Sequence, residues 1–216
     1  MPQSHSLNED PLDLWYLSLI TCAKSGEGQD LLTTSLRHSF DRLHPHFELQ
    51  ERDDFCSIAC ASILLNTLLP SSKSTQSSIY ATAAKKYLTD GIVLTDLFNI
   101  VTACGLSSVI RHSNQERFKD QFLEDIKNPE MFLIINYWRQ FEWPREGEFY
   151  RNGHFSLAAG FNEATEQVLI LDTSDSIRPY HWLDLKHLMR MMCTYDQVAA
   201  MPRGYLIILD PNQKKK

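Results

Sequence analysis

The sequence predicts an α+β fold: an N-terminal helical half packed on a C-terminal antiparallel sheet half, with room for a site in the cleft between them. Three observations predict it. Apolar residues in Leu12 to Cys22, Cys56 to Leu69 and Leu94 to Cys104 recur with the helical period. Beyond about residue 106, short apolar runs bounded by turn residues dominate. The chain has 216 residues, 43% hydrophobic and 22% charged, enough to bury a full core without staples. One domain over residues 1–216 is expected, with the helical half to about 105 and the strand-rich half from about 106 to 210.

Met1 to Pro11 is polar and acidic, unlike a signal peptide. Leu12 to Ala23 is apolar but carries Asp13, which fits an amphipathic surface helix. Cys56 opens the apolar run to Leu69, the best helix in the chain. Pro70 to Ser78 is rich in serine and reads as a long loop. Thr95 and Asp96 mark a helix start, and Cys104-Gly105 its stop. Met131 to Tyr137 reads as a buried strand. Phe155 to Phe161 and Gln167 to Asp172 read as two strands joined by the hairpin loop Asn162 to Glu166. Trp182 to Met192 reads as a helix, and Tyr205 to Leu209 as the last strand.

The net charge of −6, with no basic stripe among aromatics, argues against nucleic acid as a partner. Lys214-Lys215-Lys216 reads as a solvated tail. No apolar run approaches the roughly 20 residues of a membrane span, so a membrane is not expected as a partner. Cys22, Cys56, Cys60, Cys104 and Cys193 are odd in number and form no Cys-x-x-Cys pair. A reducing compartment follows, and a cytoplasmic location with signal-less export left open. Cys56 and Cys60 lie one helical turn apart, yet no further ligand stands at metal spacing, so no metal site is assigned.

The chemistry-bearing residues occur in the order Gln50, Cys56, His154, Asp172. A thiol at a helix start faces the positive helix end, and a neighbouring imidazolium stabilises its thiolate further. His154 follows a glycine and begins a strand, and Asp172 ends the next one. An acid there can fix the imidazole tautomer. The Gln50 amide, just ahead of the thiol, can donate to a developing oxyanion. Amide, thiol, imidazole and acid in this order is the papain-like order. Each residue also has an ordinary reading alone: Cys56 as a small core residue, His154 as a satisfied polar group, Asp172 as a turn cap. Cys60 reads as core, His44 and His46 as loop, and His181 and His187 as helix-surface or packing residues.

The segments around these residues resemble the phytochelatin synthase family. Gly153-His154-Phe155-Ser156, Leu169-Ile170-Leu171-Asp172 and Pro179-Tyr180-His181-Trp182 carry the resemblance, together with Gln50 to Cys56 and Leu65-Asn66-Thr67-Leu68. Asp90-Gly91-Ile92, Cys104-Gly105, Asn136-Tyr137, Ser25-Gly26-Glu27-Gly28 and Asp196 with Arg203-Gly204-Tyr205 extend it over about residues 25 to 209. The resemblance implies a papain-like fold and glutathione γ-glutamylcysteinyltransferase activity. Cys56 would cleave the Cys–Gly bond, with His154 as base and acid, Asp172 as orienting acid and Gln50 as oxyanion donor. Asp196 and Arg203 would hold the γ-glutamyl head, or form a structural ion pair. It implies glutathione or its metal thiolate as partner and leaves room for a homodimer. No cofactor is required; dependence on cadmium or zinc, and a role in heavy-metal detoxification, would act through metal–thiolate substrates.

The chain departs from the family pattern at Ser57, where a glycine is usual, and at Leu157, where a proline is usual. After the acid, Asp175 and Ile177 replace an arginine and a lysine. An acid in place of a cation disfavours a second anionic peptide, so transfer to water or an unusual acceptor is expected to outcompete polymerisation. The absence of a cysteine-rich C-terminal extension fits a short, prokaryotic-type member. Two other functions stay open: a papain-like peptidase or deamidase acting on peptides or proteins, and a non-catalytic binding module.

Overall fold

The computed structural model describes residues 18–88, 91–139, 153–174 and 179–212. Positions 175 and 177, the lysine tail and most of the predicted N-terminal helix lie outside these residues. The frame is a seven-stranded antiparallel sheet. In chain order its strands are β1 (Ile20–Cys22), β2 (Ser108–His112), β3 (Met131–Trp138), β4 (Gly153–Asn162), β5 (Gln167–Leu171), β6 (Tyr180–Asp184) and β9 (Gly204–Leu209). Their order across the sheet is β1-β6-β5-β4-β3-β9-β2. A two-residue pair, β7 (Tyr195–Asp196) with β8 (Met201–Pro202), stands apart from it.

Helices cover both faces. Along β3, Phe132 and Ile134 belong to one core cluster, and Leu133, Ile135 and Tyr137 to the other, as the two-residue side-chain period requires. The first face is covered by α3 (Cys56–Leu68) and α5 (Leu94–Ala103). Ten residues of α3 are buried, including Ile58, Cys60, Ile63 and Leu64. A helix apolar on all sides has to run through the core rather than over it. The second face is covered by α6 (Phe118–Lys127) and α7 (Leu185–Met192), through Phe122, Ile126, Leu188 and Met192. Smaller elements are α1 (Gly26–Thr33), capped by Ser25 Oγ accepting from the Gly28 N–H, α2 (His38–Leu43) and α4 (Gln76–Ile79).

Within the helical half lies also the edge strand β1, and within the strand-rich half lie also the helices α6 and α7. Ile20–Cys22 is a strand paired with Leu183, Trp182 and His181, not the end of a helix. Trp182 likewise sits in β6, and the helix begins only at Leu185, capped by Asp184. Trp182 is fully buried and its indole N–H donates to the Gly28 carbonyl. That tertiary demand overrides the local helical pattern. The Pro70–Ser78 loop is shorter than predicted, because Thr75 caps α4. The stop at Cys104-Gly105 holds: Gly105 has φ +92°, open to a residue without a Cβ, and Leu106 N–H closes back on Val101 O.

Register brings the functional residues to one end of the sheet. Trp138 pairs with Gly153, Tyr137 with His154, Leu171 with Leu157, and Asn136 with Gly204. The C-terminal ends of β3 and β5 and the N-terminal ends of β4 and β9 therefore meet. The N-terminus of α3, which packs on β4, arrives at the same place.

Candidate active site

Cys56 is the first residue of α3, with Phe55 as N-cap and no capping side chain. Its half-buried sulfur lies at the positive end of the helix. It interacts by hydrogen bond with the His154 imidazole and with the Phe155 backbone. His154 Nε2 lies 2.8 Å from Asp172 Oδ1. Asp172, fully buried, follows β5 directly. Its Oδ1 also accepts the Ser174 N–H at 2.9 Å, and its Oδ2 accepts the Tyr137 hydroxyl at 3.2 Å. Ser156 Oγ stands 3.1 Å from that hydroxyl, so with Tyr137 donating to the acid, Ser156 donates to Tyr137. The Tyr137 ring meets the imidazole edge-on at 5.7 Å. Thiol, imidazole and acid, far apart in the chain, come together, the imidazole acting on the thiol and bonded to the acid.

The electrostatics follow from these contacts. Burial pushes the Cys56 thiol up, but the hydrogen bond and charge of His154 and the Phe155 backbone bond outweigh it, and the thiol is held below its ordinary value. Burial alone would lower His154; the Asp172 carboxylate more than reverses this and raises it to about 9. Burial works against the charge on Asp172, yet the imidazole, Arg139 and His181 hold the acid well below the usual carboxylate range. Both shifts act toward a thiolate–imidazolium pair. Cys60, one turn on, is fully buried and pushed well above the ordinary thiol value.

Gln50 is tied to the segment that follows the acid. Its backbone N–H donates to Thr173 O at 2.8 Å, and its side-chain Nε2 donates to Asp53 O at 3.0 Å. Gln50 Oε1 and Thr173 Oγ1 are buried and have no hydrogen-bond partner. The Gln50 backbone thus adjoins the residue after the acid, and its side-chain amide has one N–H engaged and one remaining.

Asp196 and Arg203 pair with each other. Arg203 Nη1 donates to Asp196 Oδ2 at 2.8 Å and to Asn136 Oδ1 at 3.1 Å. Both residues are buried, and Asp196 Oδ1 takes the Val198 and Ala199 N–H groups. The guanidinium lies against Gly153, next to His154: a Cβ built on Gly153 would stand 2.0 Å from Nη1. Arg203 Nε and Asn136 Nδ2 are buried donors without a hydrogen-bond partner.

Four residues around the acid escaped the sequence reading of the site: Tyr137, Arg139, Ser174 and His181. Tyr137 was legible only as part of a strand, although a polar ring on the same face as Leu133 and Ile135 is the available signal. Of the two readings for His181, helix surface or packing, the second holds: it is a fully buried strand residue. Among the described residues, no group of three His, Cys, Asp or Glu could hold a metal ion, and no helix is long and apolar enough to cross a membrane.

The pattern of the phytochelatin synthase family matches residues 17–205. The chain belongs to the phytochelatin synthase family. A glutathione gamma-glutamylcysteinyltransferase of Schizosaccharomyces pombe is 29% identical over 126 residues, 56% of this chain and 29% of that protein. Glutathione gamma-glutamylcysteinyltransferase 3 of Lotus japonicus is 25% identical over 201 residues, 85% of this chain and 41% of that protein. The chain thus spans less than half the length of these relatives. The peptidase domain of Streptococcus ComA, a bifunctional ABC transporter, superposes with a TM-score of 0.51 at 13% identity, over 76% of this chain and 97% of that one. The fold of this phytochelatin synthase family member is α+β and papain-like.

Proposed function

We propose that the protein is a glutathione γ-glutamylcysteinyltransferase acting through a Cys56 thioester. The contact of His154 with both Cys56 and Asp172, joined to the family match, carries the proposal. The Cys56 thiolate attacks the carbonyl carbon of the Cys–Gly peptide bond. The Gln50 amide and the N-terminus of α3 favour the negative charge on the tetrahedral oxygen. The His154 imidazolium gives its proton to the departing glycine amine, leaving a γ-glutamylcysteinyl thioester and a neutral imidazole. That imidazole then takes a proton from the acceptor, water or a second thiol peptide, and the thioester opens to regenerate Cys56. Asp172 keeps the ring oriented throughout.

Asp196 and Arg203 hold the γ-glutamyl head at the adjoining end of the sheet. The unpartnered donors Arg203 Nε and Asn136 Nδ2 suit its carboxylate, and the Asp196 carboxylate suits its ammonium. Asp175 and Ile177 supply no cation for a second anionic peptide, so water is the favoured acceptor, with metal-thiolate glutathione as a further substrate form.

Incubation with glutathione, with and without cadmium, tests the proposal. Expected are free glycine, an acyl adduct on Cys56 by mass spectrometry, and γ-glutamylcysteine as main product. Absence of both glycine and adduct would refute transferase activity; polymers as main product would refute the preference for water.

A further inference from the structure

Arg139 follows the last residue of β3 and turns its guanidinium toward the acid. Its Nη1 is 3.4 Å from Asp172 Oδ2 and 3.3 Å from His154 Nε2, and its side chain is 18% exposed. A guanidinium carries only donors and stays charged. While Nε2 holds the proton it gives to Asp172, the contact between Nη1 and Nε2 is therefore a repulsion, not a hydrogen bond. Two cations converge on one carboxylate, one on each oxygen. The Tyr137 hydroxyl and the Ser174 N–H, which also donate to that acid, are neutral.

Asp172 faces the imidazole from the end of β5, Cys56 from the start of α3, Tyr137 and Arg139 from β3, and His181 from β6 across the acid. Arg139 is the fixed cation of this set. Without it, a buried imidazole against a buried carboxylate would grip its proton, and a general acid with too high an affinity is a poor donor at neutral pH.

We propose that Arg139 is a positioning residue that loosens the proton on His154: it anchors Asp172 through Oδ2 and opposes the imidazolium across the same carboxylate, so that the proton can pass to a leaving amine. The proposal rests on the acyl-transfer role of His154, but its decisive readout needs no substrate.

The test is a 15N NMR titration of the His154 ring in the native protein, R139Q and R139K. The native midpoint is expected near about 9. R139Q should raise it by about one pH unit. R139K, which keeps the charge, should stay within a few tenths of native. R139M replaces R139Q if the latter does not fold. An unchanged or lowered midpoint in the neutral variant overturns the proposal. In parallel, kcat for glycine release at neutral pH should fall about tenfold in R139Q with KM unchanged, and the basic limb should move up with the NMR midpoint. A loss of rate with an unmoved basic limb marks a merely structural role and also overturns it. If the native protein releases no glycine, transferase activity fails, while the NMR shift still decides the role of Arg139.

Discussion

The Gln50 backbone N–H donates to the Thr173 carbonyl at 2.8 Å, tying the segment ahead of Cys56 to the residue after Asp172. The two walls of the site are thus joined by main chain, and the Gln50 side chain keeps one N–H beyond the bond that Nε2 gives to Asp53 O. Q50A should lower kcat about 10²- to 10³-fold, the range for loss of one oxyanion donor. The urea midpoint should barely move, because the backbone bond survives. An unfolding midpoint that falls with kcat would assign the side chain to stability instead.

Cys56 should react as a thiolate. Its alkylation rate by iodoacetamide should rise with a midpoint below the ordinary thiol value of 9.0, because the imidazolium holds the sulfur charged. H154A should raise that midpoint, since burial is then opposed only by the Phe155 backbone bond and the helix N-terminus. Cys60, pushed up by burial, should stay unlabelled across the same range. Equal labelling of the two cysteines in the native protein would count against an activated nucleophile and favour a binding module.

Tyr137 holds the acid from behind the imidazole. Y137F removes one hydrogen bond to a buried carboxylate and should destabilise the fold by about 1–2 kcal/mol. It also leaves Ser156 Oγ without its present partner on β3. Asp172 keeps the Ser174 N–H and His154, so kcat should fall only about tenfold, with KM unchanged. Stopped kinetics with an intact fold would mean that Tyr137 acts in the chemistry itself.

The fold class and the meeting of Cys56, His154 and Asp172 were legible because each leaves a local trace. A helix apolar on all sides, a Gly-His pair at a strand start and an acid at a strand end are visible in Cys56–Leu68, Gly153-His154 and Leu171-Asp172. What was not legible is what tertiary contact decides. Trp182 shows helical neighbours, yet its indole must reach the Gly28 carbonyl from a strand. Ile20–Cys22 continues an apolar helical pattern, yet it completes the sheet edge beside β6. Arg139 carries no motif. Its meaning comes from β3–β4 register, which places the residue after Trp138 beside His154. No local pattern encodes that.

Arg203 and Asp196 should behave as a coupled buried pair. R203M leaves a buried carboxylate with two backbone donors and no cation, and should destabilise by about 3–5 kcal/mol. D196N/R203M should lose less than the sum of the single variants. If the pair also holds the γ-glutamyl head, D196N should raise KM for glutathione more than it lowers kcat. An unchanged KM would leave the pair structural.

Gly153 is fixed by Arg203 rather than by its own backbone. A Cβ there would stand 2.0 Å from Nη1, 2.8 Å from Cζ and 3.0 Å from Nη2. The guanidinium cannot simply swing aside, because Nη1 also serves Asp196 and Asn136. G153A should therefore destabilise by about 1–3 kcal/mol, as for overpacking. The displaced head adjoins His154, so KM for glutathione should rise as well. In the R203A background the clash is gone, and the same G153A substitution should cost only a few tenths of a kcal/mol. Chemical denaturation of the four proteins in this cycle checks the coupling. Additive losses would show that Gly153 answers to backbone conformation and not to the arginine beside it.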